Sequence, residues 1–222
     1  MGDSYGSPGA ALEGRRLYLC TPDRPDLGDF LAACIAGGVD IVQLREKELE
    51  ARDLIARAEI AMSVCAPRDV PFILNDRPDL ALACGAHGVH VGQDDVPPAV
   101  ARRVLGPAAI IGLSTHARAE WDSAVVEPVD YLSAGPVSAT PTKPGRPGTG
   151  VGYLREVSTT PAGAPGGKPW FVTGGVTPEA VPEMAAAGAR RFVVVRYLTE
   201  SQDPESAARS LRKAIDEAAA WS

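Results

Sequence analysis

The sequence predicts an α/β fold, a single-domain (β/α)8 barrel of the TIM type. Three observations lead there. Eight short β-rich runs alternate with Ala-rich helical patterns, which points to a parallel sheet with crossover helices. Small-residue segments before strands, GGVD, CGAHG and AAGAR, have the composition of helix C-caps. Polar residues gather at the carboxyl ends of the strands, where such barrels build their sites. The competing architecture is a doubly wound open sheet. It usually carries G-x-G-x-x-G after its first strand, and LCTPDRP has nothing of that kind.

The elements follow in order. RLYLC (16–20) reads as the first strand and LGDFLAACIAGG (27–38) as a helix ending on two glycines. DIVQLR (40–45) is the second strand, with a helix over 49–65. PFILND (71–76) is the third, followed by a short helix from Pro78 to Cys84. GVHVG (88–92) is the fourth, followed by PPAVARRVLG. AIIGLS (109–114) is the fifth, with a helix through Trp121. VDYLSAG (129–135) is the sixth and runs into the Gly/Pro-rich loop PVSATPTKPGRPGTG. KPWFVTGG (168–175) is the seventh, with PEAVPEMAAAGA as its helix. RFVVVR (191–196) is the eighth, and a last helix runs from Pro204 to Trp221. Residues 1–14, MGDSYGSPGAALEG, are small and polar and read as a flexible tail; residues 15–222 form the catalytic domain.

Bulk properties exclude several function classes. The chain has 222 residues, 45% of them hydrophobic, so it can bury a sizeable core. Its net charge is −6 and its pI about 5.1, where a nucleic-acid binder usually presents a basic field. No apolar run reaches membrane-spanning length. The N-terminus lacks the cationic and apolar regions of a secretory signal, so the expectation is a cytoplasmic protein. Cys20, Cys34, Cys65 and Cys84 form no C-x-x-C pair and read as reduced, packed thiols.

The strand ends carry the chemistry. The second ends on Gln43, Arg45 and Lys47, spaced so that all three share one face. Glu46 between them should point away. The third ends on Asn75 and Asp76, and the fourth on His90, Gln93, Asp94 and Asp95. The fifth ends on Ser114, the sixth leads to Thr140, Thr142 and Lys143, the seventh ends on Thr173, Gly174 and Gly175, and the eighth on Arg196. Cations and hydroxyls together suit phosphate or pyrophosphate oxygens. Asp76 and Asp95 come from neighbouring strands, and Mg²⁺ is held by one or two carboxylates plus substrate phosphate. Two anion sites imply two small-molecule substrates. Each residue also has a plainer reading: Arg45 and Lys47 as a solvated strand end, Asp76 and Asp94 as helix caps, His90 as a hydrogen-bonded structural histidine, and His87 and His116 as surface or loop residues. The loop from 141 to 150 reads as a lid rather than a linker.

QLREK (43–47), ND (75–76), GVHVGQDD (88–95), GLS (112–114), GP followed by TPTKPG (135–145) and TGGV (173–176) resemble, in order and spacing, the thiamine-phosphate synthase family. The resemblance extends from Arg16 to the last helix. It implies a Mg²⁺-dependent transferase of thiamine biosynthesis. The family joins a hydroxymethylpyrimidine pyrophosphate to a thiazole phosphate, which is carboxylated in one form, and releases pyrophosphate. Position by position, it implies that Gln43, Arg45, Lys47 and Asn75 hold the pyrimidine substrate and that Asp76 and Asp95 bind Mg²⁺. Ser114 and Lys143 contact the departing pyrophosphate. Thr140, Thr142, Gly175, Val195 and Arg196 serve the thiazole phosphate. The family commonly ends strand eight with a hydrophobic residue and Ser; here the pair is Val195-Arg196. Two other functions use the same fold: a thiazole tautomerase, which needs neither pyrophosphate nor metal groups, and a non-catalytic phosphate-ligand binder. A homo-oligomer remains open on sequence grounds.

Overall fold

A computed structural model of the chain describes residues 7–139 and 147–220. Strands β1 (Leu17–Thr21), β2 (Ile41–Leu44), β3 (Phe72–Asn75), β4 (Gly88–Val91), β5 (Ile110–Thr115), β6 (Tyr131–Ala134), β7 (Trp170–Val172) and β8 (Phe192–Val194) pair in sequence order. All pairings are parallel, and β8 returns to β1 with Leu17 opposite Phe192, so the barrel closes. This is the architecture expected from the sequence.

Alternation along the strands divides the core in two. Tyr18, Ile41, Ile73, Ile110, Tyr131 and Phe171 point inward and form one cluster. Residues of the opposite parity, such as Leu17, Leu19, Val42, Leu44, Leu74 and Val89, pack against the surrounding helices. Further along the inward face the side chains are polar: Gln43, Asn75, His90, Ser114 and Ser133. The strands are therefore apolar at the floor and middle of the barrel and polar at its mouth.

Helices α2 (Leu27–Ala36), α3 (Ala51–Cys65), α4 (Pro78–Cys84), α5 (Pro98–Leu105) and α6 (Arg118–Ala124) follow their strands as anticipated. Helix α8 (Val181–Ala186) is shorter than its pattern suggested, and α10 (Pro204–Ala219) closes the described chain. Beyond the N-terminal segment, two α-helices were not anticipated. One is α7 (Gly150–Ser158), which starts on glycines and spans only nine residues, yet buries Tyr153, Leu154 and Val157. The other is α9 (Arg196–Thr199), a single turn directly after β8.

The expected loose tail needs correction where it is described. Residues Pro8–Leu12 form a short helix, α1, with Pro8 at its first position and Ser7 as its cap. Ser7 Oγ accepts the Ala10 N–H at 3.3 Å. Ala11 and Leu12 are each only 1% exposed and join the inward cluster, so α1 plugs the barrel floor. Apolar burial outweighed the polar composition; Leu12 alone contributes roughly 1.5–3 kcal/mol by that burial. Polar contacts hold the same end. Arg15 Nε donates to Ala11 O at 2.6 Å. Asp40 accepts from the Arg16 and Leu17 N–H groups at 2.8 and 2.9 Å and from Arg212 of α10 at 3.0 Å.

Candidate active site at the barrel mouth

One cavity occupies the carboxyl ends of the strands. Its empty space of about 1070 Å³ includes the open solvent of its mouth. Gln43, Arg45, Lys47, Asn75, Asp76, Asp95, Ser114, Gly175, Val195 and Arg196 all line it. These are ten of the sequence-selected positions, brought together from six strands. Thr140, Thr142 and Lys143 lie outside the described residues, as does most of the 141–150 segment.

The QLREK stretch works by parity. Strand β2 ends at Leu44, but the Arg45 N–H still bonds Thr21 O of β1 at 2.8 Å. The pleat therefore continues, and Gln43, Arg45 and Lys47 face the cavity together. Glu46 faces the other way. Its carboxylate accepts the N–H groups of Lys47 and Glu48 at 2.7 and 2.9 Å and that of Asp23 at 3.4 Å. It thus fixes the loop that presents its two cationic neighbours.

The carboxylates converge. Lys47 Nζ meets Asp76 Oδ2 at 2.7 Å, and the Asp76 and Asp95 carboxyls hydrogen-bond each other. Asp95 Oδ2 also accepts the Gly92 N–H at 2.8 Å. Burial raises the Asp76 pKa, reinforced by the facing Asp95 and opposed by Lys47. Burial also pushes Asp95 upward, but the bonds from Asp76 and Gly92 and the Lys47 charge pull it below the ordinary range. The two shifts run in opposite directions, so Asp76 takes up a proton more readily than Asp95. Neither Asp76 nor Asp94 caps a helix: α4 is capped at Arg77 and α5 at Pro97, both without a side-chain bond. Asp76 instead sits in left-handed backbone, φ 62°. Its N–H bond to His90 O at 2.8 Å holds it there. Strain of this kind, kept by its surroundings, is characteristic of functional sites.

Two facing carboxylates are hard oxygen donors of the kind a divalent cation takes. Among the described residues no cluster of three metal-ligating side chains occurs. Mg²⁺ fits two carboxylates completed by substrate oxygens and does not need more. The donor set therefore suits Mg²⁺ bound together with a pyrophosphate.

Electrostatics favour an anion. Three cations, Arg45, Lys47 and Arg196, line the cavity against two carboxylates, in a chain of net charge −6. Among the described residues neither Arg45 nor Arg196 has an ion-pair partner. Asn75 is 6% exposed, and its amide nitrogen is buried with no partner among the described residues. A native structure rarely leaves such a donor unmade without a use for it.

Gly175 sits where a side chain cannot. Its φ is 77°, and a Cβ there would meet Ser138 Oγ at 2.8 Å. The β7 loop can therefore lie against the β6 loop with its backbone exposed to the cavity. Helix α8 begins only at Val181, later than the TGGV pattern suggested.

Below the polar ring lie residues that sequence reasoning passed over. Tyr18 and Tyr131 line the cavity floor, and Cys20 and Ser133 flank them. Their signal was the same parity that selected Gln43: Tyr18 and Cys20 on β1, Tyr131 and Ser133 on β6. His90 reaches Tyr131 Oη through Nδ1 and Ser114 Oγ through Nε2, each at 2.9 Å. Gln93 Nε2 donates to Ser114 O at 2.6 Å and steadies the same strand end. His87 and His116 lie in loops, as expected, and both are half-buried. His87 Nδ1 accepts the Phe72 N–H at 3.0 Å, and His116 Nδ1 bonds Glu120 at 2.8 Å with only 10% of its side chain exposed. All four cysteines are free thiols. Burial pushes Cys34 and Cys65 up to about 12, as inert core thiols.

Comparison with known proteins adds the following. The family model described as thiamine monophosphate synthase matches residues 17–198. A thiamine-phosphate synthase of Mycobacterium sp. (strain JLS) is 47% identical over 219 residues, covering 93% of this chain and 95% of the relative. The thiamine-phosphate synthase of Thermobifida fusca (strain YX) is 49% identical over 214 residues, covering 94% and 96%. Among solved structures, a thiamine phosphate pyrophosphorylase from Pyrococcus furiosus superposes with a TM-score of 0.80 at 28% identity, covering 91% of this chain and 96% of that one.

Proposed function

Because the chain belongs to the thiamine monophosphate synthase family, we propose that its barrel mouth joins a hydroxymethylpyrimidine pyrophosphate to a thiazole phosphate. The products are thiamine phosphate and pyrophosphate, and the enzyme is a transferase. One observation carries the reading to this chain's own residues. Motifs from three separate strands converge on one point, where Lys47 bonds Asp76 and Asp76 meets Asp95.

The chemistry asks for charge stabilisation and positioning, not a nucleophile. The bond between the pyrimidine methylene carbon and the pyrophosphate oxygen breaks, and the aminopyrimidine ring delocalises the positive charge. The thiazole nitrogen then supplies the electron pair for the new C–N bond. Arg45 and Lys47 hold the pyrophosphate as negative charge builds on it. Ser114 donates a hydrogen bond to it, and Lys143 adds a further cation. Gln43 and Asn75 orient the pyrimidine. Asp76 and Asp95 hold Mg²⁺, which when bound neutralises pyrophosphate oxygens. On the other side, Thr140, Thr142, the Gly175 and Val195 backbone and the Arg196 guanidinium hold the thiazole phosphate. Arg196 is the feature particular to this chain. It brings a full cation where the family commonly has a hydroxyl, a direct partner for a dianionic phosphate. A cytoplasmic location fits free thiols and diffusible substrates. No helix among the described residues is long and apolar enough to cross a membrane.

The test is direct. Purified protein is incubated with both substrates, with and without Mg²⁺, and thiamine phosphate is read by the fluorescence of its oxidised form. Mg²⁺-dependent product is expected; a folded protein that makes none overturns the reading.

A further inference from the structure

Lys47 answers to two demands that conflict. As part of the QLREK face it holds pyrophosphate in the function proposed above. Yet its Nζ lies 2.7 Å from Asp76 Oδ2, on the carboxylate pair that suits Mg²⁺. An ammonium at that distance takes a lone-pair position that a metal needs, and it repels a metal arriving beside it. The ion pair and a metal bound by Asp76 are therefore alternatives.

The surroundings decide which member moves. Asp76 is held by its backbone: its N–H bonds His90 O at 2.8 Å, and the Arg77 N–H bonds Asn75 O at 2.8 Å, closing a tight turn around its φ of 62°. Asp95 is held by its side chain, whose Oδ2 accepts the Gly92 N–H at 2.8 Å. Gly92 permits that approach, since a Cβ there would meet the same oxygen at 2.9 Å. Lys47 is fixed at its backbone, where Glu46 accepts its N–H at 2.7 Å. Its side chain is 48% exposed, and Asp76 is its one ion-pair partner among the described residues. A lysine stem is long and flexible, so the ammonium is the mobile member. Gln43, Arg45 and Lys47 line the cavity together, so an anion held by Arg45 lies on the side that Lys47 also serves.

We propose that Lys47 is a counter-ion switch. It neutralises the Asp76–Asp95 pair until pyrophosphate draws its ammonium away and frees Asp76 for the metal. Binding of metal and of pyrophosphate is then coupled, each raising the affinity of the other by the same factor. The proposal rests on the reading of Asp76 and Asp95 as metal ligands and of the QLREK face as the pyrophosphate site.

Two binding measurements test it, and neither needs turnover. Mn²⁺ alone is titrated into the protein and the free ion followed by its paramagnetic resonance signal. Lys47→Met should bind Mn²⁺ about five- to tenfold more tightly than wild type, and Asp76→Asn should lose the site. Arg45→Met removes the same charge from the same face and should tighten Mn²⁺ far less. No tightening in Lys47→Met, or equal tightening in Arg45→Met, overturns the proposal. The second measurement is equilibrium dialysis of radiolabelled pyrophosphate without metal, in the presence of a chelator. Asp76→Asn should bind it more tightly than wild type, and most of that gain should vanish in a Lys47→Met background. An equal gain in both backgrounds would mean that Asp76 does not act through Lys47 and would overturn the proposal. The failures are separable. An Asp76→Asn protein that keeps wild-type Mn²⁺ affinity sinks the metal reading and the switch with it. Mg²⁺-dependent thiamine phosphate formation without the Lys47→Met effect sinks the switch alone. The expected binding pattern in a protein that makes no thiamine phosphate supports the switch and sinks only the functional reading.

Discussion

Replacing Asn75 by leucine should make the free protein more stable and the enzyme worse. The amide nitrogen of Asn75 is buried with no partner among the described residues, on a side chain that lines the cavity. An unmade buried donor costs ~1–3 kcal/mol relative to an apolar group of the same shape. Leucine is close in size, so removing the amide should recover about 1 kcal/mol after allowance for imperfect packing. For a chain of this length that is a rise in Tm of roughly 2–4 °C. If the amide exists to bond the pyrimidine substrate, its loss removes a hydrogen bond made only when substrate is bound, and kcat/KM should fall about tenfold or more. Thermal unfolding of ligand-free protein gives the first number and the fluorescent assay for thiamine phosphate the second. A variant less stable than wild type, with unimpaired kcat/KM, would refute the reasoning: the amide would then be structural.

Three further outcomes follow from the geometry. Arg45→Gln removes a charge-assisted contact worth ~1.5–3 kcal/mol and should lower kcat/KM at least tenfold. Glu46→Gln keeps one carbonyl oxygen for the loop N–H groups and should cost far less; equal losses in steady-state kinetics would argue that the two do not face opposite ways. Leu12→Ala should destabilise by ~2–5 kcal/mol with little change in KM, because the floor plug is far from the mouth. An unshifted melting curve would show that α1 does not seal the core. His87 supplies a pH dependence. Burial lowers its folded pKa below the unfolded value near ~6.5. Between those two values the unfolded chain binds a proton that the folded chain refuses, so stability falls as pH drops through that window. His87→Gln, followed by denaturant midpoints across the same range, should flatten that part of the decline; identical slopes would count against it.

Much of this was legible in the sequence because barrel strands obey a period of two. Gln43, Arg45 and Lys47 could be assigned to one face, and Glu46 to the other, from spacing alone. What the sequence concealed was decided by tertiary burial. Residues 8–12 look like a polar tail until the open barrel floor takes Ala11 and Leu12, although Ser7 and Pro8 carry a readable helix start. Helix α7 hides behind its glycines and its proline-rich approach. Tyr18 and Tyr131 read as ordinary core because nothing local reveals that four strands align their polar atoms. The meeting of Asp76 with Asp95 depends on the left-handed turn at Asp76, which no motif encodes.

The floor plug has a practical side. Helix α10 ends near α1, with Arg212 on Asp40 and Asp216 near Arg16. The described chain therefore begins and ends toward the face opposite the reaction mouth. Barrels joined to one another, to a carrier or to a solid support through that face would keep every mouth turned toward the diffusing substrates. Tethering at the rim loops would crowd the entrance instead.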